Sequence, residues 1–229
     1  MENSNKKPKL TPTPSQEASL VKFFYGTHAD REHVISLHNS EMQQKMRVLA
    51  KALSNQDKLL GILYADLKYA TSQMKAHTGD HSCEQFWRRT AIRALAATVD
   101  GMVYCLKQNA IACGQLQGYT FEDEELFFLS EEHTDISKQK RFRLPAFGEN
   151  LKRTFKFYSK IFNVVCPIDF GKKGFEALCE VYELRSELMH PKSYWDFHVS
   201  DPQKQKAVDA ITWLSEESNK VIESCMAAF

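Results

Sequence analysis

Nine positions spaced alternately three and four residues apart constrain this chain more than any other feature: Met46, Leu49, Leu53, Gln56, Leu60, Leu63, Leu67, Ala70 and Met74. All but Gln56 are apolar. That period marks one stripe of an α-helix and cannot be read as an alternating strand. It predicts helix from about Asp30 to Lys75, as one rod or two joined pieces. Such a seam serves either a coiled-coil dimer or a long helix lying on its own domain. Its shortness favours the second. Gly61 weakens the middle modestly.

The rest of the chain reads the same way. Only 9 Gly and 7 Pro occur in 229 residues, too few for the turns of a β-sandwich of this length. The 15 Phe, 8 Tyr and 3 Trp supply apolar surface for a core and exclude wholesale disorder. The expected class is all-α: an up-and-down helical bundle of five to six helices with a long N-terminal helix. Residues 1–20, with Lys6-Lys7-Pro8-Lys9 and a Thr-Pro repeat, are expected to be a flexible tail. Residues 21–80 form an N-terminal helical extension, and 81–229 the bundle proper.

Within the bundle, Glu84 to Cys113 carries Trp87, Ala91, Ala94, Thr98, Met102 and Cys105 on one face, with Gly114 as its stop. A short helix from Phe121 to about Glu132, capped by Thr120, comes next. Others span about Phe147 to Phe162 and Lys172 to Met189. Pro191 ends the latter at His190. Asp201-Pro202 opens the last helix, with Asp201 as its cap.

Charge and cysteine content narrow the function classes. Thirty basic against 29 acidic side chains give a formal net charge of +1. A protein that holds nucleic acid by bulk charge is excluded, but a local basic cleft is not. No run of 18 apolar residues exists, so no membrane partner is expected. Met1 to Ser19 lacks the apolar core of a secretory signal. The six cysteines (83, 105, 113, 166, 179 and 225) form no CxxC pair and read as packed, reduced thiols. A cytoplasmic location follows as the expectation. His77, His81 and Cys83 lie close in sequence, but no second ligand pair follows them, so neither a metal nor another cofactor is expected.

The segment with chemical content is Leu178 to Pro191. Arg185 interrupts an apolar stripe of Leu178, Val181, Tyr182, Leu188 and Met189, which places a guanidinium where the helix packs. Arginine keeps its proton, so it needs either an internal carboxylate (Asp100 or Glu187) or an anionic ligand. His190 follows at the helix end, where its imidazole can swing back over the last turn. An arginine holds a phosphate and stabilises its developing charge, and a histidine moves protons near neutral pH. Asp100, in Val99-Asp100-Gly101-Met102, is a candidate to orient either one.

The string Arg185-Ser186-Glu187-Leu188-Met189-His190, an R-x4-H spacing ahead of a proline, resembles the HEPN family. The Arg- and Ala-rich stretch Phe86-Trp87-Arg88-Arg89 through Ala91, Ala94, Ala96 and Ala97 is similar to the same family, and the pattern extends from about Glu84 to the C-terminus. The resemblance implies a helical bundle that dimerises so that two Arg–His pairs share a cleft. It implies a metal-independent endoribonuclease that uses the ribose 2′-hydroxyl as nucleophile and leaves a cyclic phosphate. Arg185 would bind phosphate and His190 would do acid–base work. Many members are toxins or antiviral effectors, some with a cognate inhibitor protein. Ser186 stands where the catalytic branch often carries Asn. Lys192 stands where some toxin members carry a modified Tyr, so that modification is not expected.

Around this pair, Arg88, Arg89 and Arg93 form a basic face, Arg141, Arg143, Lys152 and Arg153 another, and Lys192 adds a further charge. Tyr194, Trp195 and Phe197 offer rings on which unpaired RNA bases stack, or a plug for the bundle end. His198 is a spare proton carrier. The rival to the nuclease is a non-catalytic module of the same shape that binds RNA, a nucleotide or a partner protein.

Overall fold

The computed structural model describes residues 14–130 and 145–226. The Lys6–Lys9 cluster, Thr11 to Thr13, the connection His133–Lys140, and Arg141 and Arg143 lie outside the described residues. Regular structure among the described residues consists of α1 (Pro14–Tyr25), α2 (His28–Ser36), α3 (Ser40–Ala76), α4 (His81–Gln117), α5 (Asp123–Ser130), α6 (Phe147–Ile161), α7 (Lys173–Met189) and α8 (Asp201–Met226). A 3₁₀ turn at Tyr194–Phe197 lies between α7 and α8, and no strand occurs among these residues. The all-α class holds. Among the described residues the α-helices number eight rather than five or six.

Two of the extra helices come from the N-terminal region. The residues from Pro14 onward, read as tail, are helical because Phe23 finds a place in the core and stacks edge-on against Phe24. Arg31 of α2 holds the end of α1: its Nε donates to the Phe23 carbonyl at 3.0 Å and its Nη2 to that of Phe24 at 3.2 Å. Asp57 on α3 neutralises the charge. Thr27 and Asp30 form a reciprocal capping box at the start of α2, and Asn39 caps α3. Of the two alternatives for the stretch from Asp30, the second holds: two helices with a break at Leu37 to Asn39.

The seam on α3 packs against α4, which runs antiparallel to it. Met46, Leu49, Leu53, Leu67, Ala70 and Met74 are buried. The polar interruption, Gln56, accepts a hydrogen bond from the Asn109 amide across the interface. Leu63 lies where a side chain on Gly101 would stand: a Cβ there would come within 2.4 Å of its Cδ1. The seam thus serves its own chain, and residues of the extension and the bundle join one buried apolar cluster that runs from Phe23 to Cys225. α4 is the central element, in contact with α3, α5, α6, α7 and α8.

Gly114 is not the stop of α4. The helix continues to Gln117, and Gly118 ends it with φ +72°; the Tyr119 N–H reaches the Gly114 carbonyl at 2.8 Å and closes a Schellman-type turn. Gly114 instead leaves room for the Phe121 ring, whose Cζ lies 2.4 Å from where a Cβ would be. That packing holds Phe121 outside the short helix, so α5 begins at Asp123 rather than Phe121. Cys105, Cys113 and Cys225 are buried, and burial pushes the last two thiols up to about 12.

The loop before α7 is tied to α8 by a covered carboxylate. Glu217 accepts from Lys220 Nζ at 2.6 Å, Lys172 Nζ at 2.8 Å and the Asp169 N–H at 3.1 Å. Burial alone would raise its pKa. The two ammonium groups and the amide outweigh burial and bring the carboxyl down from 4.5 to about 2. A folded-state pKa below the unfolded one adds stability that is complete above about pH 4.5 and is lost as pH falls toward 2. Both lysines remain 44% exposed and can return to water. Glu217→Gln is therefore expected to cost only about 1–2 kcal/mol at pH 7 in urea unfolding. The gap from wild type should narrow from pH 4.5 to pH 2, and an equal gap at pH 7 and pH 3 would contradict this role.

Candidate nucleic-acid interface

The N-terminal half of α4 holds the connection between α7 and α8 by its backbone. Gln85 acts as a surrogate strand: its Nε2 donates to the Val199 carbonyl at 3.0 Å and its Oε1 accepts from the Val199 N–H at 2.8 Å. Arg88 donates to the same carbonyl at 2.8 Å, and to Glu84 and Asp201. Arg89 donates to the Phe197 carbonyl and Arg93 to that of Leu188, both at 3.0 Å. These four side chains recur at helical spacing on one face.

This changes the part played by the basic face. Arg88 is 8% exposed and ion-paired with two carboxylates, so it is turned inward and is not placed to meet a phosphate. Arg89 and Arg93 keep partial exposure, and Arg93 Nε is buried without a hydrogen-bond partner. The start of α8 also differs by one residue from expectation. Ser200 and Gln203 form the reciprocal cap, with Asp201 as the first helical residue, which leaves the Asp201 carboxylate for Arg88.

The α4–α7 seam is cross-linked at two points, and Arg185 falls between them along α7. At one, the Tyr182 hydroxyl lies 2.7 Å from Asp100 Oδ1 and 2.9 Å from the Ala96 carbonyl, while its ring stacks on Phe147. At the other, Arg93 meets Leu188. Burial, with the Asp100 charge, pushes the Tyr182 hydroxyl well above its ordinary value. Asp100 therefore engages Tyr182 and makes no hydrogen bond or ion pair with Arg185 or His190. Arg185 is half-buried, and its guanidinium makes no hydrogen bond or ion pair with any described residue. Neither internal carboxylate considered for it, Asp100 or Glu187, is within ion-pair reach.

α7 ends where Pro191 requires, at Met189, with His190 as its C-cap. The His190 N–H still completes helical bonds to Ser186 and Glu187. Its N–H and Cα thus still follow the helix, with the Cα about 140° around the axis from that of Arg185, while its own φ −130° and ψ 57° leave helical geometry. Both side chains reach solvent, and Ser186 is exposed between them. Beyond them, Asp196 accepts from the N–H groups of Lys192 and Ser193 and from the Ser193 hydroxyl, which fixes the 3₁₀ turn. Those bonds also hold its carboxyl below the usual range. Tyr194 and Trp195 stand out from this turn, 79% and 76% exposed, and do not plug the bundle end.

A feature that sequence reasoning missed lies on the same face. His198 comes within 5.9 Å of His81, ring centroid to ring centroid, at one wall of a 430 Å³ cleft. The sequence offers both residues, but as unrelated groups, and no spacing rule pairs them. Among the described residues, no group of three His, Cys, Asp or Glu side chains could hold a metal, His77, His81 and Cys83 included. None of the described helices is long and apolar enough to cross a membrane. Comparison with protein-family models, with curated proteins and with solved structures finds no match to this chain.

Gln85→Ala removes both bonds to Val199 while leaving the loop sequence intact. The expected cost is about 1–3 kcal/mol, since it strands a buried N–H. Amide exchange at Val199 should accelerate about tenfold or more, and unchanged protection there would show that the clamp does not hold the loop.

Proposed function

We propose that this chain is a metal-independent endoribonuclease that grips an RNA phosphodiester with Arg185 and moves protons with His190, the activity its resemblance to the HEPN family implies. The observation that carries this reading is the half-buried Arg185 guanidinium, which meets no acceptor among the described residues. The two buried arginines among the described residues, Arg31 and Arg88, are both neutralised by carboxylates and carbonyls. A desolvated cation left open at the surface is a site for an anion.

The chemistry balances with what RNA and the protein supply. The 2′-oxygen bonds to phosphorus while its proton passes to the imidazole. The bond from phosphorus to the 5′-oxygen breaks, and the leaving oxygen takes a proton from water or a second imidazole. A 2′,3′-cyclic phosphate and a 5′-hydroxyl result. Arg185 stabilises the charge that grows on the phosphoryl oxygens. Arg185 and His190 diverge around α7, so a homodimer that brings two pairs into one cleft is part of this proposal. In-line attack needs a flexible backbone, which makes single-stranded RNA the substrate class.

A non-catalytic RNA-binding module is the second reading, favoured by the two exposed rings beside the basic residues. Incubation of mixed RNA with the protein in EDTA separates the two. Cleavage to cyclic-phosphate ends is expected, with Arg185→Ala and His190→Ala each lowering the rate by about 10² or more at unchanged helicity. Full activity in both variants would remove this site, and retention of RNA without cleavage would leave the binding module.

A further inference from the structure

The cleft beside the 3₁₀ turn has no part in the Arg185 chemistry. We infer that it is a binding site for one nucleotide unit: Arg89, His81 and His198 take the phosphate and the Tyr194 ring takes the base. Its 430 Å³ falls within the roughly 300–1,000 Å³ usual for small-ligand sites.

Three observations lead to this ligand. First, the one permanent charge on the lining is the Arg89 guanidinium, beside neutral Ser82 and Gln85. His81 and Arg89 come from α4 and His198 from the loop, and no carboxylate lines the cleft. Arg89 has five N–H donors, of which the Phe197 carbonyl takes one. Second, two imidazoles face one another at 5.9 Å with their planes 32° apart. An anion seated between them would accept an N–H hydrogen bond from each ring. Two imidazoles with no third ligand make a poor metal site. Third, Tyr194 forms an aromatic wall on the lining and is 79% exposed. The Asp196 hydrogen bonds fix its turn, and Arg89 and Gln85 fix the chain on either side of His198, so little freedom remains to be lost when a base stacks there.

The phosphate and base belong either to a free mononucleotide or to one residue of an RNA strand. Titration calorimetry in EDTA with AMP, adenosine, inorganic phosphate and a five-residue 2′-O-methyl RNA, which lacks the attacking hydroxyl, tests the site and tells the sources apart. AMP is expected to bind more tightly than adenosine or phosphate. Tyr194→Ala should weaken AMP about tenfold and leave phosphate unchanged. The double variant His81→Gln/His198→Gln should weaken both. These side chains are exposed, so the variants retain the fold, and circular dichroism checks that. RNA that competes with AMP assigns the site to a strand; AMP binding unaffected by RNA assigns it to the free nucleotide. Arg185→Ala should keep full AMP binding, which separates this site from the nuclease proposal. AMP no tighter than adenosine, a silent Tyr194→Ala, loss of AMP binding in Arg185→Ala, or binding that requires added Zn²⁺ would each overturn the inference.

Discussion

Arg88 is a permanent charge with almost no access to water, and the chain around it is arranged to satisfy that charge. A guanidinium cannot shed its proton, so burial demands acceptors on every side. Glu84 supplies one from the same helix. The Val199 carbonyl and the Asp201 carboxylate come from the far end of the chain. The need to neutralise one side chain on α4 thus fixes where α8 starts. Gln85 then satisfies the remaining polar groups of Val199, whose own side chain is wholly buried. With Val199 held, residues 190–198 must cross the end of the bundle above α4. That crossing brings His198 to His81 and turns Tyr194 and Trp195 to solvent.

The same rule of charge satisfaction gives Arg185 its meaning. Arg31 and Arg88 show what this chain does with a buried guanidinium: it spends backbone carbonyls and at least one carboxylate on each. Arg185 is less buried but lies in the α4–α7 seam with neither. Asp100, one of the two carboxylates the sequence offers it, accepts from Tyr182 instead. That bond also explains the acid in the middle of an apolar helix. It serves a tyrosine whose ring is covered by Phe147 and whose hydroxyl needs an acceptor.

Elements with strong periodicity were legible from the residues alone. The α3 seam, the span of α6 and the proline-bounded end of α7 all lie where the sequence puts them. Legibility failed where a tertiary contact overrode a local signal. A proline-rich prefix argued for a tail, but Phe23 in the core and Arg31 on the carbonyls make the segment from Pro14 a helix. Gly114 carried a stop signal identical to that of Gly118, and only the position of the Phe121 ring tells them apart. In the site, Arg88, Arg89 and Arg93 are indistinguishable by sequence. Which of them faces inward depends on where Val199 lands, and that is a long-range fact. The His81–His198 pair is invisible for the same reason.

The near-balance of 30 basic and 29 acidic side chains limits how a polyanion is held here. Little binding free energy is available from the release of many counterions, because few phosphates would be neutralised at once. Short-range contacts must do the work, and their strength depends on local dielectric rather than on net charge. A half-buried guanidinium attracts a phosphate more strongly than a fully hydrated lysine would. Rings held out on a turn that Asp196 has already fixed stack without a large loss of freedom. A strand recognised in this way would be held at a few points, by unpaired bases and bare phosphates. Those are the features a duplex conceals and a loop or single strand presents.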